Sequence, residues 1–315
     1  MIKRFFSYLQ SLFFKKETPY HLPWHQLVFQ DPEKLLVDFQ CKHHYFSSHP
    51  LIGRVSTNKS DLEIVKDLML SMHEKITSPI ERIFTSNEIL AKVLAYRDLK
   101  KGDKFLVPLV SKYGRPILSS FYVDRIFNLW NGMPAFGLIS KDAHISPIFL
   151  YRGTDLTLDT KRGWSSILSD LDFAGPGLNT YLHARSDIRK WLVKVKKHFS
   201  KARVMGFSLG GVLTSYTLLY EHDLIEKSEE SPSMAFSPPG VSKKVFLEWV
   251  SLPEKDKSPF MVFITTGDLV SKIGRLYGDV YQVTPNPSLS AIAAHASLVT
   301  ALPYISMKNI SDVKK

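Results

Sequence analysis

The sequence predicts an α/β fold, a mostly parallel sheet flanked by helices, preceded by a mainly helical N-terminal extension. Three observations carry this. From about residue 104 onward, short β-rich runs alternate with helical segments. The runs are apolar throughout, as in strands covered on both faces. One of them leads into a glycine-flanked serine, "GFSLGG" (206–211), where strand gives way to helix. We divide the chain into an extension, residues 1–100, and an α/β domain, residues 101–315.

The extension opens with "MIKRFFSYLQSLFFKK". Ile2, Phe5, Phe6, Leu9, Leu12 and Phe13 recur at helical spacing, with Lys3, Arg4, Lys15 and Lys16 at the two ends. A basic amphipathic helix with aromatic residues suits an anionic membrane surface, and it equally suits docking on the protein's own core. Ser7, Gln10 and Ser11 interrupt the apolar stretch and no small-residue cleavage site follows, so it makes a poor signal peptide. Further on, Ser60 and Glu63 form a capping box ahead of a helical stretch, and Ser86 with Glu88 offers a looser version.

In the α/β domain, "KFLVPLV", "PILSSFYV", "AFGLIS" and "SPIFLYRGT" read as strands bounded by Gly, Pro or charge. "NTYLHARSDIRKWLVKVKKHF" reads as a helix with Tyr181, Ile188, Trp191, Leu192 and Val195 on one face. Strand "ARVMGFS", helix "GGVLTSYTLLYEH", strand "SMAFS", helix "SKKVFLEWV" and strands "PFMVFITT" and "DVYQVT" follow. Ligand sites in such sheets lie at the carboxyl ends of the strands.

Composition narrows the function. The chain is 44% hydrophobic and 23% charged, an ordinary globular balance. No apolar run reaches the ~18 residues that a membrane-spanning helix needs. Cys41 is the lone cysteine, which excludes an intramolecular disulfide and fits a reducing compartment. We expect a cytoplasmic or peripheral-membrane location, with export left open. The net charge of +11 favours anionic partners, but the lysines are dispersed and no nucleic-acid-binding signature is present, so nucleic acid is not expected. "CKHHYFSSH" gathers Cys41, His43, His44 and His49 at spacings that match no zinc pattern, and a polar loop is the better reading.

The glycines around Ser208 have a physical reason. A serine on a tight strand-to-helix turn brings backbone close on both sides. Side chains two positions before and after it would collide, so glycine is favoured at 206 and 210. A nucleotide-binding turn is the competing reading, but no further phosphate-binding glycine or lysine follows. A serine hydroxyl needs a base, and on such a turn the acid and then the histidine follow in the chain. His222 sits too far along the departing helix, which leaves His295. Among the acids between them, Asp268 directly follows the strand "PFMVFITT" and Gly267, at the carboxyl edge of the sheet. Asp279 begins a strand, the wrong end. Leu209, through its N–H, and Thr154, at the end of "FLYRGT", are the candidate oxyanion donors.

Together these stretches resemble the class 3 lipase family of α/β-hydrolases. The resemblance rests on "FLYRGT" (149–154), Trp164 with Asp170, "GFSLGG" (206–211), "FSPPGV" (236–241), "GDLV" (267–270) and His295, spread over roughly residues 146–300. It implies the α/β-hydrolase fold, a triad of Ser208, Asp268 and His295, an oxyanion hole of Thr154 and Leu209, and a lid near 155–180. Asp155 would orient the oxyanion loop. The chain departs from the family at Phe207, where a histidine is usual, and in "FSPPGV", which lacks the usual glycine and arginine. The expected activity is hydrolysis of carboxylic esters, lipid acyl esters first, with no cofactor required. The same triad would serve a thioesterase or peptidase. The alternative is a lipase-like membrane-binding or effector protein with a degenerate site.

Overall fold

The computed structural model describes residues 78–92, 94–96, 99–110, 116–129, 132–140, 142–154, 175–286, 288–289, 291–296 and 304–311. Outside these fall the amphipathic segment 1–16, the Ser60–Glu63 box and the Cys41–His49 cluster. Asp155, Trp164, Asp170 and most of the expected lid fall outside them too. Of that lid, Gly175–Gly177 form a turn and Leu178–Thr180 already belong to a helix.

Among the described residues, nine strands form one sheet in which spatial order equals chain order. Strands β1 (Lys104–Val110), β2 (Pro116–Asn128), β3 (Pro134–Ser140) and β4 (Ile148–Tyr151) pair antiparallel in succession. Strands β5 (Arg203–Phe207), β6 (Ser233–Phe236), β7 (Phe260–Thr265) and β8 (Asp279–Asn286) extend β4 as a parallel run. Strand β9 (Tyr304–Asn309) closes the far edge antiparallel. The parallel character therefore belongs to the five central strands, and both flanks are antiparallel.

A parallel run that advances in one direction places its right-handed crossovers on one face. Helices α2 (Leu178–His198), α3 (Leu209–Tyr220) and α4 (Lys243–Ser251) lie there. They pack on Phe149, Tyr151, Val204, Ala235, Phe260 and Val262 of the sheet. The apolar face expected for α2 is the one it buries: Tyr181, Ile188, Trp191, Leu192 and Val195. Each such side chain contributes about 1.5–3 kcal/mol when fully buried. Trp191 packs edge-on to Phe149 and donates its Nε1–H to Asp124, 2.8 Å away.

The opposite face is covered by α1 (Pro79–Lys92), whose Phe84 meets Phe236 and Phe263. Proline at the first helical position loses no internal hydrogen bond. Ser86, expected as a cap, lies inside this helix instead. Its hydroxyl and the Asn87 amide both donate to the Ile83 carbonyl, 3.2 and 2.7 Å away. These polar groups satisfy themselves on the preceding turn, and the packing of Phe84 carries the helix through the position that local preference marked as a start. The described part of the N-terminal segment thus packs onto the sheet itself.

Candidate active site

Strand β5 ends at Phe207 and α3 begins at Leu209, so Ser208 occupies the whole turn. Its backbone sits at φ 54, ψ −122, a region that L residues rarely enter. Hydrogen bonds on both sides hold it there. The Ser208 N–H donates to the Phe236 carbonyl at 2.9 Å, and the Ser208 carbonyl accepts from the N–H of Gly211 at 2.9 Å. The space is as tight as the sequence implied. A Cβ on Gly206 would lie 2.3 Å from the Gly210 carbonyl oxygen, and one on Gly210 would lie 2.7 Å from the Arg152 carbonyl oxygen.

His295 comes from α5 (Ala291–Ala296), the short helix after β8. Its Nε2 is 2.9 Å from Ser208 Oγ. Its Nδ1 is 3.1 Å from both carboxylate oxygens of Asp268. Asp268 lies in the turn after β7, where Gly267 takes φ 95 and the Asp268 N–H donates to Thr265. The Val270 N–H and the Ser271 hydroxyl donate to the same carboxylate, at 2.9 and 2.7 Å. Burial alone would raise the pKa of this acid. The neighbouring His295 imidazole and these hydrogen bonds outweigh it and hold the carboxyl below its ordinary value. Ser208, Asp268 and His295 are 3%, 2% and 0% exposed, so all three lie beneath the surface.

The end of β4 lies directly against the elbow. A Cβ on Gly153 would come within 2.5 Å of the Phe207 carbonyl oxygen and 3.3 Å of Ser208 Cβ. This puts the next residue, Thr154, beside Ser208. The Thr154 hydroxyl is buried and has no hydrogen-bond partner among the described residues. Nor does the Leu209 N–H meet a backbone acceptor among them. Buried donors ordinarily find partners, and a substrate oxygen between Thr154 and Leu209 would supply one. The positive end of α3 points the same way.

The structure therefore brings together Ser208, Asp268, His295, Leu209 and the strand end that carries Thr154. Asp279 opens β8, away from the carboxyl ends of the strands, and His222 follows the far end of α3. Sequence reasoning missed the Ser271 hydroxyl and the Val270 N–H, which hold the Asp268 carboxylate. Ser271 had a local signal, a hydroxyl three residues after an aspartate in a turn.

Ser237, immediately after β6, is the other non-glycine residue with positive φ among the described residues, at 47. It stands where the sequence lacks an expected glycine. It is buried, and its N–H donates to the Phe263 carbonyl at 2.7 Å. The left-handed region costs an L residue about 1–2 kcal/mol, and glycine returns roughly half of that saving as unfolded-chain entropy. Ser237→Gly should therefore raise stability by about 0.5–1 kcal/mol, read as a higher urea midpoint at unchanged slope.

Five parallel strands, a serine elbow after β5, an acid after β7 and a histidine after β8 are the arrangement of an α/β-hydrolase. No family model matches the chain, and no curated protein matches it either. Among solved structures, it is similar to the native Rhizomucor miehei lipase propeptide complex at 17% identity, covering 58% of this chain and 68% of that chain, with a TM-score of 0.42. It is also similar to a triacylglycerol lipase from Penicillium expansum, at 11% identity, 60% and 73% coverage and a TM-score of 0.41. A third similar structure is a fungal lipase, at 14% identity, 74% and 87% coverage and a TM-score of 0.44.

Proposed function

We propose that the protein is a serine hydrolase that cleaves carboxylic esters, with lipid acyl esters as its substrate class. One observation carries the reaction type: a strained, buried serine whose hydroxyl lies 2.9 Å from an imidazole, itself 3.1 Å from a carboxylate. In this reading Ser208 Oγ attacks the acyl carbon while His295 Nε2 takes the hydroxyl proton. Asp268 holds the ring tautomer and stabilises the imidazolium. The Leu209 N–H and Thr154 donate to the oxyanion. Collapse of the tetrahedral intermediate breaks the bond to the leaving alcohol, which receives the proton from His295. Water then repeats the sequence on the acyl-enzyme and frees the acid. The lipid part of the reading rests on the sequence motifs shared with class 3 lipases.

The test is covalent labelling with a fluorescent fluorophosphonate, followed by a panel of p-nitrophenyl esters, acylglycerols, phospholipids, thioesters and peptides. Wild type should label and Ser208→Ala should not, with the fold of the variant unchanged. A folded wild type that stays unlabelled with and without added lipid would instead favour the lipase-like binding protein with an unused site.

A further inference from the structure

Helix α1 places a buried ion pair behind the elbow. Lys92 Nζ lies 2.8 Å from Glu88 Oε1, and the two side chains are 2% and 0% exposed. A pair at this spacing is ordinarily a solvated surface contact. Burying it takes two charges out of water, a cost that mutual attraction often fails to recover, and well-packed apolar side chains hold a helix at least as well. Anchoring α1 therefore does not account for it, but its location does. The Lys92 ammonium stands over the ring of Phe207, 5.1 Å from the centroid. Phe207 immediately precedes the nucleophile and is fully buried. Its ring lies 5.2 Å from the His295 imidazole, with the planes 35° apart. Tyr96, on the short 3-10 turn Leu94–Tyr96, meets Phe207 at 6.4 Å.

A continuous chain of contacts thus runs from Glu88 through Lys92, Phe207 and His295 to Ser208. A cation over an aromatic face is attracted by the ring's quadrupole, and more strongly where no water competes. That attraction fixes the Phe207 ring, and the ring bounds the plane from which the imidazole reaches Ser208 Oγ. We infer that Lys92, held by Glu88, is a positioning residue that acts through Phe207 to keep His295 aligned on Ser208. The inference rests on the serine-hydrolase reading.

The test is the double variant Glu88→Gln/Lys92→Met, which removes both charges at nearly unchanged shape. It should melt at or above the wild-type temperature. Its kcat on a p-nitrophenyl ester should fall about tenfold, with KM changed by less than about twofold. Lys92→Arg keeps a cation that can stack on the ring and should stay within about threefold of wild-type kcat. A role in packing alone predicts the reverse order, with the neutral variant active and the arginine variant impaired. Phe207→Leu gives a second measurement should the double variant not fold: the ring is lost, and kcat should again fall about tenfold at similar KM. Wild-type turnover in the folded double variant or in Phe207→Leu overturns the inference and leaves the serine-hydrolase reading standing. A wild type that no fluorophosphonate labels overturns both.

Discussion

Ser208→Ala and His295→Ala should each lower kcat on an ester substrate by on the order of 10⁶, and the double variant should be no worse than either. The reason is geometric. Among the described residues the base beside the hydroxyl is His295 Nε2, at 2.9 Å, and without it Oγ must attack as a neutral alcohol. Without the serine, the imidazole has no proton to take, so removing the second group after the first costs nothing more. Asp268→Asn should cost less, about 10⁴, because it leaves the ring near its place while presenting the wrong tautomer to Ser208. The Val270 N–H and the Ser271 hydroxyl that now meet a carboxylate would also lose their charged acceptor. Initial rates on a short-chain p-nitrophenyl ester, normalised to folded protein by circular dichroism, measure all four variants. Additive losses in the Ser208/His295 pair would mean that the two groups do not work as a unit, and would count against the triad.

How much of this arrangement could be read from residue order alone depended on how local each signal was. The face of α2 could be read because Tyr181, Ile188, Trp191, Leu192 and Val195 recur at helical spacing, and burial followed the spacing. The elbow could be read because steric crowding at Gly206 and Gly210 is set within five residues. Asp268 was found from its place just past a strand, and His295 by elimination. The direction of strand pairing was less visible, since an apolar run reads alike beside a parallel or an antiparallel neighbour. The antiparallel pairing of β1 to β4, which flanks the parallel run, could not be told from the residues for that reason. Strand β9 gave no signal strong enough to be assigned. The burial of the Glu88–Lys92 pair was invisible for a further reason: only the tertiary fold decides whether an i, i+4 ion pair faces water or the underside of Phe207, and the sequence offered Glu88 only as a capping partner of Ser86.

Gly206→Ala should unfold the elbow locally and cost about 3 kcal/mol or more of stability, with at least about a hundredfold loss of kcat in whatever remains folded. The added methyl would sit 2.3 Å from the Gly210 carbonyl oxygen, 2.4 Å from its carbon and 3.0 Å from the Gly211 nitrogen. All three atoms are backbone in the first turn of α3, so no side chain can swing aside. Helix α3 cannot retreat cheaply either. Val212, Leu213 and Tyr216 are wholly buried against the sheet, and the Gly211 N–H is bonded to Ser208. Activity falls together with stability because Ser208 and the Leu209 N–H ride on the same turn that must open. Gly211→Ala is the matched control. Its methyl would meet Pro238 Cβ at 3.0 Å, the Gly206 carbonyl oxygen at 3.3 Å and Ala235 Cβ at 3.4 Å, tight contacts that a shift of a few tenths of an ångström relieves. Alanine gains about 1 kcal/mol of helix propensity there, so the net change should stay within about 1 kcal/mol. Urea titrations of both variants beside fluorophosphonate labelling rates separate the two cases. Equal midpoints would show that the turn at 206–210 is looser than its contacts describe. A large loss at Gly206 alone would tie the strained serine to the crowding that holds it.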